Sequence, residues 1–115
     1  MPQPDPRTLE LNCIVQGDEP THVFTVEIAN TKNVSALKDY IKDKNPEAFR
    51  NVDARSISLW QVSIPVDDSF KENLQKEELT DQKLLPVVKR LNGLFVNQPM
   101  EGHLHFIVKH NSESL

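Results

Sequence analysis

Two stretches of alternating side chains near the start of the chain limit its possible folds more than any other sequence feature. Apolar side chains occupy every second position from residue 9 to residue 16, and the alternation returns from residue 22 to residue 28. Side chains that alternate in this way point to opposite faces of a β-strand. Residues 17–20 between them have the composition of a turn. The first 28 residues therefore predict an antiparallel hairpin.

A helix is predicted directly after the hairpin. Apolar residues recur at helical spacing over residues 34–41, which places them on one helix face. Thr31 or Asn33 is expected to cap the N-terminus by accepting a hydrogen bond from an unpaired backbone N–H. The helix should end near residues 45–46, because a residue that precedes proline avoids the helical conformation.

The second half of the chain predicts two more strands around a polar segment. One strand covers residues 57–62, and residues 64–66 extend it at a sheet edge or a bulge, since they include a proline. Short helices are expected around residues 70–74 and over residues 84–91. The last strand covers residues 103–109, and its alternation places three apolar side chains on one face: Leu104, Phe106 and Val108.

The order hairpin, helix, strand, irregular segment, strand predicts a β-grasp domain of the α+β class. Its mixed sheet would pack on one main helix, and residues 66–95 would form an elaborated segment. A last strand beside the first would pair with it in parallel, after a long crossover. A ferredoxin-like α+β sandwich and a small open barrel are the alternatives. We expect the domain to span residues 9–110, between a flexible arm at 1–8 and a flexible tail at 111–115.

Composition excludes several classes of function. The length of 115 residues corresponds to one domain, and the net charge of -4 argues against binding of this domain to nucleic acid. No apolar run approaches the roughly 20 residues of a membrane span. Only three glycines are present, so no glycine-rich phosphate loop is expected and no cofactor is predicted.

The residue types that could perform chemistry do not form a catalytic pattern. His103 and His105 share the spacing of two metal ligands on a strand, but a structural metal site needs about four ligands, so no metal is predicted. Cys13 lies on the apolar side of the first strand, where a buried and unreactive thiol is expected. The sequence thus predicts no catalytic residues and no enzymatic activity.

Apolar residues of the second half offer a surface for a protein partner. Trp60 is predicted to face away from Leu59, where the 66–95 segment is expected to cover it. The alternative is that it remains exposed at a partner or dimer interface, where tryptophan is common. The candidates for contact with a partner, including a second copy of the chain, are Trp60, Ile64, Val66 and Leu91.

Several phrases of the sequence resemble one family of proteins. They are LELNCIV at 9–15, LKDYIKDKNPEAF at 37–49, VDARSISLWQVSIP at 52–65, LLPVVKRLNGLF at 84–95 and HLHFIVKH at 103–110. Together they resemble the N-terminal domain of Crinkler effectors of oomycetes and fungi, and the chain looks like a fungal variant. The resemblance implies a ubiquitin-like fold.

The resemblance also maps two family motifs onto this chain. The delivery motif L-x-L-F-L-A-K matches at Leu9 and Leu11 and departs over residues 12–15. The motif H-V-L-V-x-x-P corresponds to four residues of the last strand: His105, Phe106, Ile107 and Val108. The resemblance implies that these six residues belong to the delivery motifs.

By this resemblance the chain is expected to be a non-enzymatic effector header. Such a header acts in secretion and delivery into host cells and contacts other proteins, which implies a secreted protein that reaches the host cell. Family members often have a separate C-terminal domain, for which 115 residues leave no room. The alternative is a cytoplasmic ubiquitin-like interaction module without an export role.

Overall fold

A computed structural model describes residues 8–95 and 99–110. The strands are β1 (Thr8–Val15), β2 (Phe24–Ala29), β3 (Ile57–Pro65) and β4 (His103–His110), and the helices are α1 (Val34–Lys44), α2 (Phe70–Lys76) and α3 (Leu91–Leu94). Short 3₁₀ turns cover Pro20–His22, Ala54–Ser56 and Asp81–Lys83. Residues 1–7 of the predicted arm and the predicted tail at 111–115 lie outside the described residues, whereas Thr8 is the first residue of β1.

The four strands form one mixed sheet in the order β2-β1-β4-β3. β1 pairs antiparallel with β2, and β3 pairs antiparallel with β4. The two central strands, β1 and β4, are parallel, and Cys13, Ile14 and Val15 lie opposite residues 106–108. The predicted β-grasp arrangement is therefore confirmed. The first and last strands of the domain meet at the centre of the sheet.

Local sequence sets both ends of α1. The side chain of Asn33 accepts a hydrogen bond from the backbone N–H of Ala36 at 3.0 Å, which satisfies one of the unpaired donors at the helix start. The helix ends at Lys44, and Asn45, which precedes a proline, follows as its cap. Both predictions for this helix are confirmed.

Each face of the sheet has its own core. We call the face beneath α1 the inner face; its main core includes Leu9, Leu11, Cys13, Val26, Ile28, Val34, Leu37, Ile41, Ile57, Leu59, Phe106 and Val108. The opposite, outer face has a second core, which consists of Ile14, Val62, Ile64, Phe70, Leu104 and Ile107. Phe70 belongs to α2, so this part of the 66–95 segment covers the outer face, whereas Leu85 and Leu91 of the same segment lie in the main core. The central strands are thus buried on both sides.

The helix predicted over residues 84–91 is wrong. Residues 84–90 run outside any helix, and α3 begins only at Leu91. Their backbone groups bond to other parts of the molecule: the N–H of Leu85 donates to the carbonyl of Leu59, and the N–H of Val34 donates to the carbonyl of Lys89. These hydrogen bonds to β3 and to the start of α1 outweigh a modest local helix preference.

The alternation predicted for the last strand is also wrong at one position. Leu104 lies in the second core, whereas Phe106 and Val108 lie in the main core. The register between β3 and β4 shifts between Gln61 and Ile64, which face Phe106 and Leu104. The extra residue of this bulge lies on β3, where two residues stand opposite the single residue between Leu104 and Phe106. His105 lies where the change occurs.

We expect Asn33→Ala to lower the free energy of unfolding by about 1 kcal/mol, because the Ala36 N–H loses its acceptor. Urea unfolding measures the difference, and Thr31→Ala is the matched control, since Asn33 and not Thr31 is the N-cap. Equal losses in the two variants would contradict the assignment of Asn33 as the cap.

Candidate functional site

The residues assigned to the two delivery motifs lie in the interior of the domain. Leu9 and Leu11 of β1 are buried in the main core, and so are Phe106 and Val108 of β4. Ile107 is buried in the second core. The two motif segments occupy the two central strands, and their side chains are not on the surface of the folded domain.

A side-chain link joins the two motif strands where their backbone ladder ends. The parallel ladder pairs Cys13 with Phe106, and one residue earlier on each strand the N–H of Asn12 donates to Nδ1 of His105 at 2.9 Å. The side-chain amide of Asn12 also donates to the carbonyl of His103 at 2.8 Å. These two contacts, the Asn12–His105 link, extend the connection between β1 and β4 beyond the ladder.

The environment of His105 fixes its protonation state. Nδ1 accepts from Asn12, so Nε2 bears the proton and donates to the carbonyl of Met100 at 2.9 Å. The ring is buried and contacts Phe95 edge to face. Burial lowers the pKa of His105 below its ordinary value; the hydrogen bond to Met100 opposes this shift, and the nearby His103 adds to it. The imidazole is therefore neutral in the folded domain at neutral pH.

The structure divides the four predicted partner-contact residues into two groups. Ile64 is 3% exposed and Leu91 is fully buried, so their placement on the surface is wrong. Ile64 points into the second core, and Leu91 points into the main core at the start of α3. Val66 is 45% exposed. Trp60 is half-buried and pairs with Leu84 at the outer edge of β3.

An exposed apolar turn lies in the segment whose helix prediction is wrong. The N–H of Lys89 donates to the carbonyl of Pro86 at 3.2 Å, which closes a turn over residues 86–89. Val87 and Val88 form its tip and are 48% and 77% exposed. The sequence signal for this turn is weak, because Pro86 favours a turn but valine is unusual at a turn tip. The helical interpretation concealed it.

Backbone contacts hold this 86–89 turn rigidly. The N–H groups of Val34 and Ser35, at the start of α1, donate to the carbonyls of Lys89 and Val87 at 2.9 and 3.0 Å. They are unpaired donors of the helix terminus, so the turn acts as a second cap of α1. The buried Leu85 anchors the turn on its other side. These contacts fix the backbone of the turn, and the side chains of Val87 and Val88 are exposed on it.

The other candidate chemical groups are dispersed. Cys13 is fully buried, and burial raises the pKa of its thiol, which disfavours the reactive thiolate. Within residues 8–95 and 99–110, no group of three His, Cys, Asp or Glu side chains could hold a metal ion. In the same part of the chain, no helix has the length and apolar character needed to cross a membrane. Glu77, beside a shallow depression between β1 and α2, is ion-paired with Lys83.

The fold places the chain in the class of ubiquitin-like domains. A solution structure of an Arabidopsis thaliana protein matches with a TM-score of 0.55 and 18% identity, over 94% of this chain and 92% of the other. Another structure of that protein, described as its ubiquitin-like domain, matches with a TM-score of 0.50 and 20% identity, over 92% and 80%. The C-terminal ubiquitin-like domain of mouse tubulin-specific chaperone e matches with a TM-score of 0.54 and 9% identity, over 98% and 96%. The predicted ubiquitin-like fold is confirmed.

The family follows from the sequence itself. The model of the Crinkler effector protein N-terminal domain matches residues 9–109, and the chain belongs to this family. Crinkler effector protein 1 of Rhizophagus irregularis is 30% identical over 89% of this chain and 21% of its own length. Crinkler effector protein 16 of Phytophthora infestans is 33% identical over 84% of this chain and 17% of its own length. The chain thus spans about a fifth of these curated relatives.

The burial of the motif residues predicts that they stabilise the fold. Leu11→Ala should lower the free energy of unfolding by about 3 kcal/mol, because it leaves a cavity beneath α1. Glu10→Ala, at the adjacent exposed position of the same motif, should change it by less than about 0.5 kcal/mol. Denaturant unfolding of both variants measures these values. A loss below about 1 kcal/mol for Leu11→Ala would contradict a structural role.

Proposed function

We propose that the domain is a non-enzymatic header of a secreted effector, which acts in delivery into host cells and recognises other proteins. Family membership supports the effector role. The dispersed candidate groups of the described residues support a role in binding rather than catalysis. Secretion and action in the host cell are part of the proposal. A cytoplasmic interaction module of the same fold is the alternative.

The single observation that carries the recognition role is the rigid, apolar 86–89 turn. Its capping of α1 uses backbone carbonyls, so polar side chains at Val87 and Val88 would serve the fold equally well. Exposed apolar side chains at a fixed turn tip disagree with local preference, and such disagreements concentrate at functional sites. We assign this turn as the contact surface for a partner protein.

Charge near the turn defines the chemistry of that partner. From Gln82 to Met100 the sequence has three cations, Lys83, Lys89 and Arg90, and no carboxylate, although the whole chain has a net charge of -4. Lys89 and Arg90 follow the valines directly and are exposed. The complementary surface is apolar at its centre and has carboxylates at its rim. The proposal therefore commits to an acidic protein partner and not to nucleic acid.

We expect the double variant Val87→Ser with Val88→Ser to weaken partner binding at least tenfold. Full burial of one valine is worth about 1.5–3 kcal/mol, and tenfold corresponds to about 1.4 kcal/mol. Lys89→Glu should weaken binding further at low salt. Met100→Ser, at an exposed apolar residue outside the turn, is the matched control and should leave affinity unchanged.

The measurement uses a partner recovered from host extract on the immobilised domain and then purified for titration calorimetry with each variant. Capture of a protein from extract does not by itself support the proposal. The proposal is supported when the purified partner binds the double variant more weakly than it binds Met100→Ser. Circular dichroism confirms that each variant is folded. A partner that binds all variants equally would refute the turn as the contact surface.

Self-association is a second candidate, favoured by apolar residues at the β3 edge. Trp60 is half-buried next to Leu84, which is itself exposed. Val66, just after the end of β3, is also exposed. Residues 84–85 already bond to β3 at Leu59 and Trp60, so the part of the edge proposed for a second copy is its end toward Val66. Edge strands pair readily with a second copy, and symmetric dimers are the commonest assemblies. We include a homodimer through this edge in the proposal.

Sedimentation equilibrium over a concentration series tests the dimer. The wild type should show mass above that of a monomer at concentrations up to roughly 100 μM, a range that reaches weak complexes of about -5.5 kcal/mol. Val66→Lys should restore the monomer, whereas Val88→Lys, at an exposed valine of the 86–89 turn, should not. A strict monomer throughout would eliminate the homodimer, and sensitivity only to Val88→Lys would move the contact to the 86–89 turn.

A further inference from the structure

The geometry points to an acid-sensitive connection within the domain: the Asn12–His105 link holds β1 against β4 near neutral pH and releases them in mildly acidic solution. This inference concerns the folded domain alone and does not depend on any partner. It goes beyond the proposed recognition role, because it describes a conformational response rather than a contact surface.

The contact between Asn12 and the His105 ring is possible only for a neutral imidazole, whereas the bond from the Asn12 side chain to the carbonyl of His103 does not titrate. Nδ1 of His105 must accept the N–H of Asn12 while Nε2–H donates to the carbonyl of Met100. A protonated ring has two N–H groups and no acceptor. Protonation would therefore direct an N–H of the ring against the N–H of Asn12, and it would also place a charge in a buried site. Both effects disfavour the closed arrangement.

The position of the link makes its loss local. The parallel ladder between β1 and β4 covers residues 13–15 and 106–108 and uses backbone groups that do not titrate. The antiparallel pairs β1–β2 and β3–β4 are also independent of His105. Acid should therefore separate the first half of β1 from the start of β4, and the rest of the sheet should remain paired.

The charged groups around His105 do not supply a replacement contact. His103, on the same strand, disfavours a positive charge on His105. Glu10 of β1 and Glu101 of the preceding turn line an open depression together with Asn12 and Met100, and both are exposed to solvent. Solvent weakens their attraction for a buried imidazolium. Residues 91–95, which pack against the ring through Phe95, contain no titratable side chain.

The direction of the pH effect follows from the pKa of His105. In the unfolded chain a histidine takes up a proton near pH 6.5, whereas burial lowers the pKa of His105 in the folded domain. The unfolded or opened form therefore binds more protons below pH 6.5. The stability that neutral His105 contributes to the closed form is fully present above about pH 6.5. It declines as the pH falls from that value toward the lower pKa of the folded state, and it no longer changes below that pKa.

Amide hydrogen exchange by NMR tests the opening. We expect the protection factor of the Asn12 amide, corrected for the intrinsic rate at each pH, to fall severalfold, and by no more than about tenfold, between pH 7.5 and pH 5.5. The amides of Val26 and Ile28 in β2 are internal controls, since β2 pairs with the edge of β1 that is opposite to β4 and His105. Their protection should remain the same.

His105→Gln is the decisive variant, because a glutamine has both an acceptor and a donor but does not titrate in this range. Its Asn12 protection should not change with pH, and His103→Gln should still respond as the wild type does. Unchanged protection of Asn12 in the wild type would refute the proposal, even if His105→Gln does not fold. A pH response that persists in His105→Gln would assign it to another group. Neither result depends on the 86–89 turn, so this experiment tests the opening independently of the recognition role.

Discussion

The parallel contact between β1 and β4 is the constraint on which the rest of the domain depends. Parallel strands cannot be joined by a short turn, so every other element lies on the long connection from residue 16 to residue 102. Both strands are central and buried on two faces, which requires a cover on each side. α1 covers the inner face, and the segment that includes α2 covers the outer face.

The segment from residue 66 to residue 95 therefore has two structural tasks. Phe70 completes the second core, and the backbone carbonyls of residues 87 and 89 cap the start of α1. The second task explains why an apolar turn can remain exposed without loss of order. Its conformation is determined by hydrogen bonds to the helix terminus and by the buried Leu85, not by burial of the valines themselves.

Sequence patterns predict the parts of this fold that short-range physics decides. The hairpin, a cap at Thr31 or Asn33 and the end of α1 before Pro46 all follow from alternation, side-chain capping and the geometry of proline. The 84–91 helix prediction is wrong because its backbone groups bond to distant partners at Leu59 and Val34. The Asn12–His105 link was equally hidden, since it joins residues 93 positions apart. Hydrophobic periodicity reports local structure and cannot predict a contact between residues so far apart in the sequence.

The buried link also explains how this chain can depart from the delivery motif and keep the same strand. Asn12 stands where the motif has phenylalanine, but the contact to His105 uses the backbone N–H, which any residue except proline provides. The asparagine side chain adds bonds to His103 and Thr25. Cys13 and Ile14 remain apolar and fill the cores on opposite faces. The departures therefore preserve the packing that the two central strands require, and the motif residues are better understood as determinants of the fold than as a surface signal.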